Sequence, residues 1–336
     1  MKEIALVTDI AFWKIGLGKN ARIQELCYFL ARHSRFTLYY LGDEKSPFPG
    51  PSFQENDKPS QLRSYLDKAD HDLLIVEYLH LHWVADLPLK KTKVYLDAHD
   101  LLSERAKSFE SFNRKNNEIT WEQELDYFCR FDKVMFMQKE EIEKVLPLIG
   151  KDRLLLCPHP VIPETDVPFR QEVEVISFFG SPSWANMDGI QWFHDTVLPR
   201  LGDWAEKCVV NGTASSSPLS IFSPRLAKGK LFSSLGEYYK GIDIAINPVL
   251  YGSGLKIKTV EALAYGIPLV ATTAAVQGLR EESGHAFLLA DTPEDFARAI
   301  CTLAESSHLR DQLSRNARAF AQKHLTPEAC FGSLLH

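Results

Sequence analysis

Two lysines and a glutamate, Lys256, Lys258 and Glu261, follow closely on a pair of glycines, Gly252 and Gly254, in the stretch Asn247-Pro-Val-Leu-Tyr-Gly-Ser-Gly-Leu-Lys-Ile-Lys-Thr-Val-Glu261. The glycines let backbone approach a ligand closely. A helix from about Leu255 to Tyr265 then offers its first unpaired N–H groups just after them, which together make an anion site. In a helix's first turn the dipole already favours negative charge, so two lysines there argue for an anion supplied from outside. At about 100° per residue, Gly254, Lys258 and Glu261 fall within about 60° of one face. A carboxylate below a phosphate loop cannot hold the phosphate, but it can accept hydrogen bonds from the diol of a ribose. The blander alternative is an i,i+3 surface pair, Lys258 with Glu261, beside a simple glycine turn.

The elements that must position these residues are readable on either side. Ile242 to Asn247 is the short apolar run of a strand buried on both faces, and Pro248 takes the chain out of the sheet. Gly266 and Pro268 end the helix and start the next strand. The same alternation begins the chain: a strand at Ile4 to Thr8, a loop carrying Gly16-Leu-Gly18, then Ile23, Leu26, Cys27 and Leu30 at helical spacing. A dinucleotide fingerprint needs a third glycine, so a nicotinamide-type oxidoreductase built on Gly16 and Gly18 is the weaker reading. Further strands are expected at Phe36 to Tyr40, Leu73 to Glu77, Lys93 to Leu96, Lys133 to Gln138 and Leu154 to Cys157, with one mixed-charge helical stretch from Arg105 to Arg130. The string Asp97-Ala-His-Asp100 sets His99 at a strand's carboxyl end, where α/β proteins bind ligands and where an imidazole can donate or accept near neutral pH. Asp100 and Arg105 are placed to position that ring or to face an acceptor. Asp70 and Asp72 precede their strand and read as solvated, and His80 and His82 have no third metal ligand near in sequence. Pro158, Pro160 and Pro163 stiffen a linker. A second series opens with Val175 to Phe179 and Gly180, and Asn186 is expected to cap the following helix.

A chain of 336 residues is too long for one ordinary core and suits two α/β domains. A net charge of −6 gives no support to wholesale nucleic-acid binding. The six cysteines are scattered without Cys-x-x-Cys spacing, so neither a zinc site nor a disulfide framework is expected, and a reducing cytoplasm fits. The first residues lack the apolar run of a signal peptide, and nowhere do about 18 apolar residues run together. An integral membrane protein is therefore not expected; a peripheral contact with the inner face of a membrane stays open.

The string from Gly252 to Thr273 resembles the donor-binding segment of the retaining glycosyltransferases of the GT-B fold, often called glycosyltransferase group 1. The resemblance implies two doubly wound Rossmann-like domains facing an interdomain cleft. Residues 1–160 would be the acceptor-side domain, 161–325 the nucleotide-sugar-binding domain, and 326–336 a helix returning to the first. It implies a metal-independent transferase, without cofactor, that moves a sugar with retention from a UDP- or GDP-sugar to a hydroxyl of a glycan or lipid-linked acceptor, as in surface polysaccharide synthesis. His99, Lys256 and Glu261 take the catalytic roles. Gly16, Gly18, Gly180, Ser253, Gly254, Leu255, Ile257 and Lys258 line the donor, with Lys230 and Leu231 passing the base, and Asp100 and Arg105 lie on the acceptor side. Two departures stand out. Ser181 occupies the place of an arginine that grips the diphosphate, with no lysine following, and Ser253 replaces the first of two glutamates, of which Glu261 is the second. A non-catalytic nucleotide-sugar or glycan-binding protein on the same fold is the alternative these departures motivate.

Overall fold

The structure, a computed structural model, describes the chain except residues 14–17, 43, 54–57, 90, 117–118 and 217–225; Gly16 lies outside the described residues. The chain divides into two compact units, Met1–Lys107 with Asn116–Pro160 and Pro327–His336, and Ser108–Lys115 with Val161–Thr326.

In the first unit the chain runs β1 (Glu3–Thr8), α1 (Gly18–His33), β2 (Arg35–Tyr40), α2 (Lys58–Leu66), β3 (Leu73–Glu77), β4 (Lys93–Asp97), α3 (Leu102–Glu110, of which Ser108 onward counts with the second unit), α4 (Trp121–Phe128), β5 (Lys133–Phe136), α5 (Lys139–Ile149) and β6 (Leu154–Leu156). The six strands form one sheet in the order β2-β1-β3-β4-β5-β6, every pairing parallel. Parallel strands buried on both faces must be apolar throughout, and β1 shows how this is used. Its Ala5 and Val7 pack with α2, α4 and α5 residues such as Leu62, Phe128 and Val145, while Ile4 and Leu6 pack with Ile23, Leu26 and Leu30 of α1. Each such Val, Leu, Ile or Phe side chain contributes roughly 1.5–3 kcal/mol on burial. The expected helix from Arg105 to Arg130 is two helices. Asn113 turns the backbone at φ 55, and Thr120 starts α4 with a capping box closed by Gln123.

The second unit continues with β7 (Ile176–Phe179), α6 (Trp184–Trp192), β8 (Cys208–Asn211), β9 (Leu226–Lys228), α7 (Leu235–Lys240), β10 (Ile244–Asn247), α8 (Ile257–Ala264), β11 (Leu269–Ala271), β12 (Leu288–Leu289), α9 (Pro293–Glu305) and α10 (Ser307–His324). Its sheet is again parallel, ordered β12-β11-β10-β7-β8-β9. Met187 and Ile190 of α6 and Phe296 and Ile300 of α9 share a core with Phe178, Val210, Ile246 and Val270 of the strands. The last helix, α11 (Pro327–Phe331), belongs to the first unit, where Phe331 meets Phe29 of α1.

Asn186 does not cap α6; Ser183 holds the N-cap position, and Asn186 lies inside the helix, buried. One contact of that helix bears on the site. A Cβ on Gly189 would come within 2.6 Å of the Pro248 carbonyl oxygen, at the point where the chain leaves β10. Overpacking against backbone costs roughly 1–3 kcal/mol, partly offset by about 1 kcal/mol from alanine's better helix propensity. Gly189→Ala is therefore expected to lower Tm in thermal denaturation, and an unchanged or raised Tm would refute this packing.

Candidate active site

Topology marks where each sheet can bind. In the second sheet the winding reverses between β7 and β10, and ligands of open α/β sheets sit outside the carboxyl ends of the strands at such a switch point. The two segments leaving that point are Gly180-Ser-Pro after β7 and the glycine loop after β10. A neighbouring edge is contributed by β8 and β9, where Asn211 Oδ1 accepts from Lys230 N at 3.0 Å and Gly180 N donates to Asn211 O at 3.3 Å. Lys230 and Leu231 therefore lie at the same end of the sheet as Gly180, with Leu231 60% exposed and the Lys230 ammonium toward Glu237.

The loop after β10 needs its glycines: Gly252 has φ 124 and Gly254 φ 75, both outside the range of ordinary side chains. Helix α8 begins at Ile257, two residues later than the sequence suggests, with Lys256 at the N-cap. A lysine has no acceptor to offer, so it cannot cap the first amides of α8 as serine or aspartate would. Lys256 instead turns back on its own loop. Its Nζ donates to Ser253 O and Gly254 O, both at 2.9 Å, and to Gln277 Oε1 at 3.1 Å, while Gln277 Nε2 reaches Gly252 O. In this structure its charge goes to the carbonyls that the glycine turns expose, and it shapes the loop holding Ser253, Gly254 and Leu255.

Lys258 is the lysine aimed at the switch point. Its Nζ donates to Asn186 Oδ1 at 2.5 Å and lies 4.2 Å from the Phe178 ring centroid. Asn186 in turn donates to Ser181 O at 2.8 Å, so the carboxamide joins the segment after β7 to α8. Withdrawal from water, with Lys256 nearby, pushes the Lys258 ammonium down to about 7. One turn further, the buried Glu261 accepts from Tyr239 Oη at 3.2 Å. Burial pushes its carboxyl up to about 7, against the opposing effects of Tyr239 and Lys258. Tyr239 is itself held by stacking on Tyr265, with ring centroids 4.5 Å apart. The arrangement offers amide dipoles, one cation and one carboxylate on a single helix, which suits an anionic group joined to a hydroxylated ring.

A clamp absent from the sequence reading holds the same loop. Arg114 donates to both carboxylate oxygens of Asp188 in α6 and lies 4.2 Å over the Trp184 ring. Tyr251 donates to Asp188 at 2.6 Å, stacks on Phe112 and receives the edge of Phe109. Ser108 Oγ accepts from Gly252 N at 2.8 Å. Only the aromatic Tyr251 next to Gly252 could have hinted at this.

In the first unit the winding reverses between β1 and β3, and Gly18 opens α1 beyond β1. His99 follows β4 and is buried, with φ 63 in a three-residue turn closed by Asp100 N donating to Ala98 O at 2.8 Å. Such a turn is strained, and strain of this kind gathers at functional sites. The ring stacks on Tyr78, itself at φ 70, with centroids 3.9 Å apart, and its Nε2 meets Glu77 Oε2 at 2.7 Å. Asp100 pairs with Arg105 at 3.3 Å. Helix α3 is anchored just beyond by two buried carboxylates: Glu141 accepts from Leu101 N, and Glu124 from Leu102 N and Ser103 N. Its start is thereby closed to an outside anion. Glu77, Asp97 and His99 have donor atoms within 4.8 Å of one another, the one such group of three among the described residues. Arg22 already engages both Asp97 oxygens, so a cation there would have to displace a guanidinium. His80 bonds Asp9 and His82 stacks on Tyr127. No helix of the described residues is long and apolar enough to cross a membrane.

Two parallel sheets wound on both faces, one with a glycine loop at its switch point, define two Rossmann-like domains. Solved structures share it. Sucrose-phosphate synthase from Thermosynechococcus elongatus is 16% identical with a TM-score of 0.74, covering 99% of this chain and 97% of that one. HepE from Anabaena, in complex with UDP, is 16% identical with a TM-score of 0.73, covering 99% and 98%. WaaG, a glycosyltransferase involved in lipopolysaccharide biosynthesis, is 11% identical with a TM-score of 0.66, covering 98% of each. The fold is GT-B. Residues 173–306 match the family model described as glycosyl transferases group 1. An uncharacterized 44.6 kDa protein in the cps region of Klebsiella pneumoniae is 23% identical over 221 residues, 62% of this chain; the match spans 56% of that relative's own length.

Proposed function

We propose that this protein moves a sugar from a nucleoside-diphosphate sugar to a hydroxyl of a glycan or lipid-linked acceptor, with retention at the anomeric carbon. The observation that carries the proposal is Lys258 seated on Asn186 at the amide-bearing start of α8, with Glu261 one turn on. The departing diphosphate develops negative charge, and the α8 amides with Lys258 supply preorganised stabilisation where it appears. Glu261 accepts from the ribose hydroxyls. His99 is the residue we assign to the donor sugar, and Asp100 with Arg105 to the acceptor. Helix amides and an ammonium do the work a metal would otherwise do, so the reaction is proposed to need none. The family match, the UDP seen with HepE and the cps-region relative support this reading.

Ser181 stands where the resemblance places a diphosphate-gripping arginine, with no lysine following, and Ser253 where it places a glutamate; this favours a second reading, a binding protein without turnover. One experiment separates the two. A thermal-shift screen over UDP, GDP and ADP and their sugars is expected to raise Tm with at least one diphosphate, and the matching nucleotide sugar is expected to be consumed. Binding without consumption, with or without glycan acceptors, would favour the second reading. No shift with any nucleotide would remove both.

A further inference from the structure

The carboxyl end of the first sheet holds ionisable side chains that the proposed transfer leaves unused. Glu77 and Asp97 end β3 and β4, are register partners, and are fully buried. Arg22, buried on α1, donates Nε and Nη2 to the two oxygens of Asp97 at 2.8 and 2.9 Å, and Nη1 to Pro158 O at 3.1 Å. That pair cancels its own charge. Glu77 has His99 as its hydrogen-bond partner, and its other oxygen, Oε1, is buried with none among the described residues. Of the other titratable neighbours, Asp100 is paired with Arg105 at 3.3 Å, and His159 and Tyr78 are neutral. Burial, then Arg22 and His99, push the His159 imidazole down to about 3, and burial with Glu77 pushes the Tyr78 phenol up.

A charge count follows. With Arg22 and Asp97 balanced, an ionised Glu77 beside a neutral imidazole would leave one uncompensated negative charge in the interior, which is costly. Burial, and then Asp97, raise the Glu77 carboxyl accordingly. One further proton on the Glu77–His99 pair removes the charge. On the ring, that proton gives an imidazolium with N–H at both nitrogens. On Glu77, it lets the carboxyl O–H donate to Nε2, which leaves the ring's own hydrogen on Nδ1. A proton on Oε1 instead would be buried with no acceptor, and the two placements that remain both put a hydrogen on Nδ1.

We propose that Glu77 is a positioning residue that fixes His99 with Nδ1 as an N–H donor, so that the atom the ring meets is an acceptor oxygen, a hydroxyl or carboxylate oxygen of the sugar. The ligand class rests on the reading of His99 as the residue that contacts the donor sugar. The Tyr78 stack and the turn at His99 fix the plane of the ring, and Glu77 fixes which nitrogen carries the hydrogen. A Gln at position 77 keeps the shape and removes the need for the extra proton.

Nitrogen-15 NMR of the full chain labelled at histidine, without ligand, reads the ring directly, the His99 signal being the one lost in His99→Gln. The His99 Nδ1 is expected to carry a hydrogen. An unprotonated Nδ1 at about pH 7 overturns the proposal. Glu77→Gln is expected to lose the extra proton and to lower kcat roughly 10- to 100-fold with donor KM little changed, as orienting partners of functional histidines do. Wild-type kcat and an unaltered ring in Glu77→Gln would also overturn it. Should that variant not fold, the wild-type spectrum alone decides. The spectrum needs no donor, so failure of the transfer reading would show separately, as absent turnover in the wild-type protein.

Discussion

Glu261→Gln is expected to lower kcat/KM for the nucleotide-sugar donor by roughly 100-fold while leaving the fold intact, since hydrogen bonds to a charged group are worth about 1.5–3 kcal/mol each and a ribose diol makes two. The carboxamide keeps the shape of the carboxylate and one acceptor for Tyr239 Oη, which now bonds Glu261 at 3.2 Å. Stability should move the other way. The Glu261 carboxyl is pushed from its ordinary 4.5 up to about 7 by burial. Between those values the folded protein holds a proton that the unfolded chain has released, so stability falls as pH rises through that window and the cost is complete above about 7. Glutamine removes that cost. Melting curves above neutral pH should show the variant at least as stable as the wild-type protein, alongside initial rates that show the loss of turnover. A variant that melts early and loses activity in proportion would mark Glu261 as structural only.

The second large effect is expected at Lys258. Lys258→Met should weaken binding of the cognate nucleoside diphosphate roughly 10- to 100-fold, the loss of one charge-assisted contact. The sign of the pH dependence follows from an ammonium pushed from 10.5 down to about 7. In that interval the unfolded chain keeps a proton that the folded protein gives up, so the penalty is full below about 7 and is relieved as pH rises toward 10.5. Binding a diphosphate requires the ammonium, so wild-type affinity should weaken as pH rises above about 7, by up to about tenfold per unit. In Lys258→Met this dependence should disappear. Calorimetric titration with the diphosphate across this range checks both, and a variant with wild-type affinity and slope would remove Lys258 from the anion site.

Much of the architecture was readable because parallel strands buried on both faces write themselves as unbroken apolar runs. The runs ending at Glu77, Leu96, Phe179 and Asn247 all became strands whose carboxyl ends bear the candidate groups. Gly254 and Glu261 were readable because a positive φ and a helical period each leave a local mark. The direction of Lys256 left no such mark, since whether a lysine faces a ligand or its own loop depends on which carbonyls the glycine turns expose. Asn186 looked like a cap by residue type and proved to be the partner of Lys258, a contact between distant segments. The Arg22–Asp97 and Glu77–His99 pairs were also long-range. Their signal was present in retrospect: Arg22 adjoins Ile23 on the helix face that carries Leu26 and Leu30, and two acids close adjacent apolar strands.

The tie between Ser108 and Gly252, reinforced by Arg114 on Asp188, gives α3 a job beyond packing. This helix starts directly after the strained turn of His99 and is pinned at its head by Glu124 and Glu141. Its tail runs into the residues that grip the glycine loop. Ser108 and Arg114 thus brace the glycine loop within the second unit, so an arriving ligand meets a backbone already held in shape.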